Sequence, residues 1–239
     1  MHLAREVFQI TTAECALIFF PDGAPAYLTR RFDVIPDGGK VPQEDFAQIA
    51  GKSEEKGGPN YKYDFSYEEL GELMREFVKA YKIEADRFFR IVLFNYLVCN
   101  GDAHLKNFSL FRSEDYGDYL LTPAYDLVST KLHLGTERDT ALELFKGDYE
   151  TAGYKINGKH CKDDFVEFGL RLGLGDERIA KVFEEFTDKK LPLMDDLIDR
   201  SFLSDVLKSA YKQNVRDRIK RLIYSYQEEE ENDRGKARR

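Results

Sequence analysis

Asn100-Gly-Asp-Ala-His-Leu-Lys-Asn-Phe-Ser109, followed by Pro123-Ala-Tyr-Asp-Leu-Val-Ser-Thr130, is the stretch that decides how this chain is read. It holds a carboxylate (Asp102), an amide five residues later (Asn107) and a second carboxylate (Asp126). Between the last two lie Phe108-Ser-Leu-Phe-Arg112 and Tyr119-Leu-Leu-Thr122, joined by a polar, glycine-bearing segment at 113–118. Two short apolar runs around such a segment predict a β-hairpin. A hairpin brings the chain back to its start, so Asn107 and Asp126 are expected side by side. Two oxygen ligands so placed suit a hard cation that keeps water and phosphate oxygens in its shell. With Asp102 as a base beside an attacking hydroxyl, the set is what phosphoryl transfer needs. The competing reading is plainer: Asp102 and Asn107 cap and turn a loop, as these residue types commonly do.

The surroundings favour the chemical reading. Residues 84–99 (EADRFFRIVLFNYLVC) are apolar on nearly every face from Phe88 onward, the pattern of a helix buried in a domain centre. Gly101 then allows a sharp exit, which places Asp102–Asn107 in a loop at the helix C-terminus. The Asp–x4–Asn separation equals that of the H-R-D-x-x-x-x-N catalytic loop of protein kinases.

The two blocks NGDAHLKNFSL and LTPAYDLVST resemble, almost letter for letter, the signature of HipA-like kinases, the toxin components of bacterial HipA–HipB toxin–antitoxin systems. Arg30-Arg-Phe-Asp33 and Pro42-Gln-Glu-Asp-Phe-Ala-Gln48 resemble that family's Arg-Phe-Asp-Arg and Gln-Glu-Asp-Phe elements, the latter its adenine hinge. The similarity is clear over residues 26–130 and a matter of helical character beyond. It implies an α+β, protein-kinase-like two-lobed fold with a truncated β-containing N-lobe and a mostly α-helical C-lobe. It also implies a serine/threonine protein kinase that moves the γ-phosphate of ATP to a protein hydroxyl, with ATP and Mg²⁺ as cofactors. Asp102 would be the catalytic base and Lys106 would neutralise charge on the transferring group. Asn107 and Asp126 would ligate magnesium. The nucleotide set would comprise Glu44, Asp45, Phe46, His104, Lys106, Asn107, Tyr125 and Asp126, with 44–46 at the adenine edge. A helix-turn-helix, HipB-like antitoxin would be the partner that touches DNA.

Plainer roles stand beside these. His104 can brace the loop by hydrogen bonding, and Lys106 can be a solvated surface charge. Glu44 and Asp45 can be first-turn acids of a helix running through Gln48-Ile-Ala50. The chain also departs from a complete kinase. No G-x-G-x-x-G or Walker A pattern occurs, and Lys40 and Lys52 lie at or after the hinge, where neither replaces the strand lysine. The expected domains are an N-lobe remnant and hinge at 1–48, a helical C-lobe at 49–227 and a disordered charged tail at 228–239. The missing piece would be a separate N-terminal-lobe protein, an unrecorded segment, or a part lost from a non-catalytic kinase-like binding subunit. That subunit is the alternative function, with small-molecule phosphotransfer a third class.

Composition sets further bounds. The 239 residues, 42% hydrophobic, suffice for one sizeable core. No apolar run approaches the ~18–20 residues that span a bilayer, and charge near the N-terminus is unlike a secretory leader, so a cytoplasmic protein is expected. Cys15, Cys99 and Cys161 are widely spaced with no C-x-x-C, as for buried thiols, and the four histidines form no ligand-spaced pair. A net charge of −8 argues against direct nucleic-acid binding.

The remainder reads as mostly helical. Leu70, Leu73, Met74, Phe77, Val78 and Tyr81 recur at helical spacing and predict one one-faced amphipathic helix, opened by a Ser66-x-x-Glu69 capping box. Residues 165–172, 177–186, 193–198 and 201–226 are expected helices, with Asp176 as an N-cap. A strand is expected at 140–145, a loop at 149–157 and a polar, Gly/Pro-bearing loop at 51–60. The N-terminus is expected to supply a helix end at 2–8 and a hairpin of 15–20 with 26–32.

Overall fold

The computed structural model describes residues 1–35, 38–113, 117–135 and 138–229. The expected hairpin tip, Thr136 and the tail from 230 onward therefore lie outside the described residues. At the centre is α4 (Tyr81–Leu97), preceded by α3 (Tyr67–Phe77). Phe88, Phe89, Leu93 and Leu97 of α4 are fully buried, as their all-round apolar surroundings in sequence require. The rings of Tyr67, Phe88, Phe108 and Phe168 meet at centroid separations of 5.4–6.4 Å. Aromatic pairs in such contact add about 0.5–1.5 kcal/mol each beyond their burial.

Helix α3 opens with the expected capping box: Ser66 Oγ accepts from the Glu69 amide, and Glu69 accepts from the Ser66 amide at 2.9 Å. The apolar stripe from Leu70 to Tyr81 is not one helix. Val78 is extended and α4 begins at Tyr81, whose hydroxyl donates to the Leu172 carbonyl at 2.8 Å. Periodicity ran on across the break because both sides face the same core.

Two sheets form. Strands β1 (Cys15–Phe19) and β2 (Pro25–Thr29) make an antiparallel ribbon of their own. Strands β3 (Gln43–Asp45), β4 (Ser109–Arg112) and β5 (Tyr119–Leu121) make a second antiparallel sheet in the order β3-β4-β5, with Asp45 opposite Ser109. Helix α1 (Phe46–Ile49) follows β3 directly, capped by Asp45, and α2 (Glu54–Gly57) interrupts the expected loop at 51–60. The buried carboxylate of Glu84 on α4 accepts from the Leu121 amide at 2.9 Å, fastening the outer strand to the central helix.

The expected strand at 140–145 is instead a chain of bends. Ala141, Leu142, Leu144 and Phe145 plug the core, and the carbonyls of Glu143 and Leu144 accept from the Tyr67 and Glu68 amides. Those amides open α3 and have no partner within it, so they take the acceptors that a neighbouring strand would have used. The expected loop at 149–157 holds α5 (Ala152–Asn157), whose N-cap Thr151 accepts from the Tyr154 amide. After α5 come α6 (Lys162–Arg171), α7 (Asp176–Glu185), α8 (Leu191–Asp199) and α9 (Asp205–Ile223). Gly175, not Asp176, is the N-cap of α7; Ser204 caps α9. The N-terminal helix end is a short π-helical turn at Leu3–Val7.

A buried ion pair joins α9 to the loop that follows the candidate site. Arg218, 3% exposed, donates to Asp139 at 2.5 Å and to Cys99 Sγ at 3.3 Å, and lies 4.3 Å from the Tyr96 ring centroid. Arg221 reaches the same carboxylate at 3.0 Å. Burial pushes the Asp139 carboxyl up, but the two guanidinium groups outweigh it and hold the carboxyl below its ordinary range. Asp139→Ala leaves Arg218 buried without its counter-charge. It is expected to cost about 3–5 kcal/mol, seen as a lower urea midpoint at unchanged slope.

Candidate functional site

The loop that leaves α4 is held by its own side chains. Cys99 takes a left-handed backbone (φ 55°), turning the chain off the helix axis. Asn100, 2% exposed, then works in three directions. Its Nδ2 donates to Asn95 Oδ1 at 2.8 Å and to the Asp126 carbonyl at 3.4 Å, while its Oδ1 accepts from the Asp102 amide at 3.2 Å. The Gly101 amide donates to Thr130 Oγ1 at 2.8 Å. Loop, helix end and the segment after the hairpin are thereby tied together. Leu105 is fully buried, and the Tyr67 hydroxyl donates to the Ala103 carbonyl at 2.8 Å. Motif reading passed over Asn95, Asn100 and Thr130 as ligands of the loop; an asparagine inside an otherwise apolar helix was the available signal.

The hairpin brings Asn107 and Asp126 together, Nδ2 donating to Asp126 Oδ2 at 2.8 Å. Asn107 Oδ1 accepts from the His104 amide at 3.0 Å. Asp126 sits in the left-handed region (φ 54°), which Asp tolerates better than most side chains and which strained functional positions often occupy. Residues 11–13 bond on both sides of Ala124, with Ala13 N to Ala124 O and Ala124 N to Thr11 O both at 2.9 Å. The Tyr125 hydroxyl donates to the Lys106 carbonyl at 2.8 Å and lies 2.5 Å from Ser109 Oγ. Burial pushes the Tyr125 phenol up to about 12, so it remains a donor. Tyr125 thus braces the loop through its hydroxyl.

Asp126 and Lys106 are exposed, and the Asp102 side chain is 44% exposed. The hydroxyl of Tyr63 donates to Asp102 Oδ1, a contact no motif announced. His104 lies behind, 6% exposed, with Nε2 3.8 Å from Asp102 Oδ1 and its ring edge-on to Tyr63 at 5.2 Å. Burial first, and then Lys62, lower the His104 pKa, against the raising effect of Asp102 and Asp126. The imidazole is thus buried on the inner side of the Asp102 carboxylate, turned away from solvent.

The 44–46 segment is placed beside the hairpin root by β3–β4 pairing. Glu44 is exposed. The Asp45 carboxylate accepts from the Gln48 amide at 2.9 Å as the cap of α1. Phe46 is fully buried and its amide donates to the Phe108 carbonyl at 3.0 Å, so neither its ring nor its N–H faces a ligand. The core takes the ring, which leaves the exposed edge of this segment to Glu44.

Asn107 and Asp126 carry the donor types magnesium takes, an amide oxygen and an exposed carboxylate. Holding one ion between them requires the Asn107 amide to turn its Oδ1, here on the His104 amide, toward Asp126 in place of Nδ2. Among the described residues no three His, Cys, Asp or Glu side chains cluster as an all-protein cage. Magnesium has no need of one, since water and phosphate oxygens usually complete its shell. Behind the pair, a cavity of about 10 Å³ lined by Asn95, Asn100, Asn107 and Thr122 has room for roughly one water.

Residues 1–191 match the family model for the HipA-like C-terminal domain. A protein of Sinorhizobium fredii named "Putative kinase Y4dM" is 37% identical over 165 residues, 69% of this chain and 36% of that protein. A "Putative kinase" of Haemophilus influenzae is 29% identical over 176 residues, 69% of this chain and 51% of that protein. The chain thus spans about a third to a half of the length of these curated relatives. Among solved structures, HipA from the Shewanella oneidensis HipA–HipB–operator DNA complex superposes with a TM-score of 0.67 at 21% identity, over 92% of this chain and 54% of that one. The Helicobacter pylori proinflammatory kinase CtkA superposes with a TM-score of 0.56 at 15% identity, over 93% and 78%. Both show the fold: α+β and kinase-like. No helix among the described residues is long and apolar enough to cross a membrane.

The lowered His104 pKa has a definite pH signature. Its contribution to stability is full above the ordinary histidine value of 6.5 and is lost as pH falls from there through the folded-state pKa. Replacing it with a non-titrating residue, His104→Gln, is expected to lower the melting temperature at pH about 7.5 and to make its decline toward pH about 5.5 shallower than in the wild type. Thermal melts across that range measure both.

Proposed function

The chain belongs to the HipA-like C-terminal domain family, and on that footing we propose that it carries the catalytic face of an ATP- and Mg²⁺-dependent serine/threonine protein kinase. The observation that supports this most is the Asn107–Asp126 contact at 2.8 Å, one loop away from a part-exposed Asp102. In this reading Asp102 orients the acceptor hydroxyl of a protein substrate and takes its proton as the phosphoryl group transfers. Asn107 and Asp126 hold the magnesium, which when bound neutralises charge on the nucleotide phosphates. Lys106, exposed on the same loop, lies where it can offset charge on the transferring group. Tyr125 keeps the Lys106 backbone in place, and Glu44 with Asp45 borders the adenine side through the β3 backbone.

Residues 1–48 would be the small-lobe part and hinge, 49–227 the helical lobe, and 228–239 a charged tail. The toxin role and a HipB-like, helix-turn-helix antitoxin are supported by the likeness to the HipA of a HipA–HipB–DNA complex. A separate protein supplying further small-lobe structure is a third partner in this reading. The open position of Asp102 and Asp126 also suits a second reading, a kinase-shaped binding subunit.

Calorimetry separates the readings. The chain is expected to bind ATP with Mg²⁺ and weakly without it, and Asp126→Ala is expected to abolish that difference. Asp102→Asn should leave ATP binding unchanged and lower phosphoryl transfer by about 10²-fold or more. Metal-independent binding that is the same in Asp126→Ala removes the site; metal-dependent binding with no transfer even when the small-lobe partner is present favours the binding subunit.

A further inference from the structure

Tyr63 belongs to none of the motifs, yet its hydroxyl is the described donor to Asp102 Oδ1. The segment that delivers it is built for fixed placement. After α2, Gly58 takes a left-handed backbone (φ 70°), and a Cβ on Gly57 would meet Tyr61 Cβ at 2.9 Å, so both glycines serve the turn. A single 3₁₀ turn, Tyr61–Tyr63, then presents the phenol. Tyr61, Tyr63 and Phe65 pack against the core. Lys52 pins the next stretch by pairing with Asp64 at 2.7 Å and lying 5.7 Å from the Phe65 ring centroid. The Tyr63 ring is held edge-on to His104 at 5.2 Å, with the Lys62 ammonium 5.0 Å from its centroid.

The chemistry of the contact is one-sided. Burial and the neighbouring carboxylate push the Tyr63 phenol up to about 12, so it stays protonated and donates. Asp102 Oδ2 accepts from no described residue. One carboxylate oxygen is therefore held while the other remains available.

We propose that Tyr63 is the positioning residue of the base: its hydroxyl fixes the Asp102 carboxylate through Oδ1 and leaves Oδ2 to the acceptor hydroxyl. This rests on the phosphoryl-transfer reading. A substrate-mimicking plug would use the same hydrogen bond, but a plug must leave, and this ring is packed on the core, on His104 and under Lys62. Holding a carboxylate in one rotamer raises the fraction of encounters in which it is aligned, so the gain belongs to turnover and not to substrate binding.

The test uses the full chain with ATP·Mg²⁺ and dephosphorylated casein as the probe acceptor. Tyr63→Phe keeps the ring and removes only the hydroxyl. The expected result is a kcat lower by about tenfold, with KM for ATP and casein within about twofold of the wild type. A raised kcat would establish a plug and overturn the proposal, as would an unchanged kcat, which a merely structural role predicts. A second readout needs no turnover: urea midpoints of Tyr63→Phe, Asp102→Asn and the double variant. Non-additive midpoints support the clamp, and additive ones overturn it. If the wild type alone transfers no phosphate while the midpoints stay non-additive, the clamp stands, and the kinase reading is then tested with the small-lobe partner present.

Discussion

The hydrogen bond from Asn107 to Asp126 is the constraint around which the rest of the molecule is arranged. It closes the root of the β4–β5 hairpin and puts an amide and a carboxylate on one solvent-facing edge. Neither residue could hold that position alone. Asn107 is fixed because its turn is anchored by buried Leu105 and by the Tyr125 hydroxyl on the Lys106 carbonyl. Asp126 is fixed because Ala124 is bonded on both sides by residues 11–13 and because Asn100 reaches its carbonyl. A strained left-handed backbone at an exposed aspartate persists only under that degree of support.

That support comes from the core. Helix α4 is buried on every side from Ile91 to Leu97, so its C-terminal end cannot shift without disturbing the Tyr67–Phe88–Phe108–Phe168 cluster. Polar groups at its two ends do the fastening: Glu84 holds β5 near the start, and Asn95 holds Asn100 near the finish. Buried polar groups of this kind are costly unless paired: Glu84 is met by Arg87 and the Leu121 amide, Asn95 by Asn100. The precision of the open face is thus set by a rigid interior, the usual division between a packed scaffold and the loops it positions.

Local patterns were legible where the physics was local. The Ser66–Glu69 capping box, the buried character of α4 and the Phe108–Thr122 hairpin follow from neighbours within a few residues. Readings went astray where the deciding partner lay far along the chain. Residues 140–145 have strand-like composition, but the open amides of α3 took their carbonyls. Phe46 and His104 match family letters, yet letters do not say which way a side chain turns, and both turned inward.

By itself the sequence determined the family, the α+β class and the hairpin that sets Asn107 beside Asp126, because motif spacing and apolar periodicity are properties of the chain. Only the tertiary structure decided which of the motif residues face solvent, that Tyr63 meets Asp102 across 39 positions, and that β3 pairs with β4. Those outcomes depend on long-range packing, where a side chain goes to the partner that three-dimensional closure brings within reach.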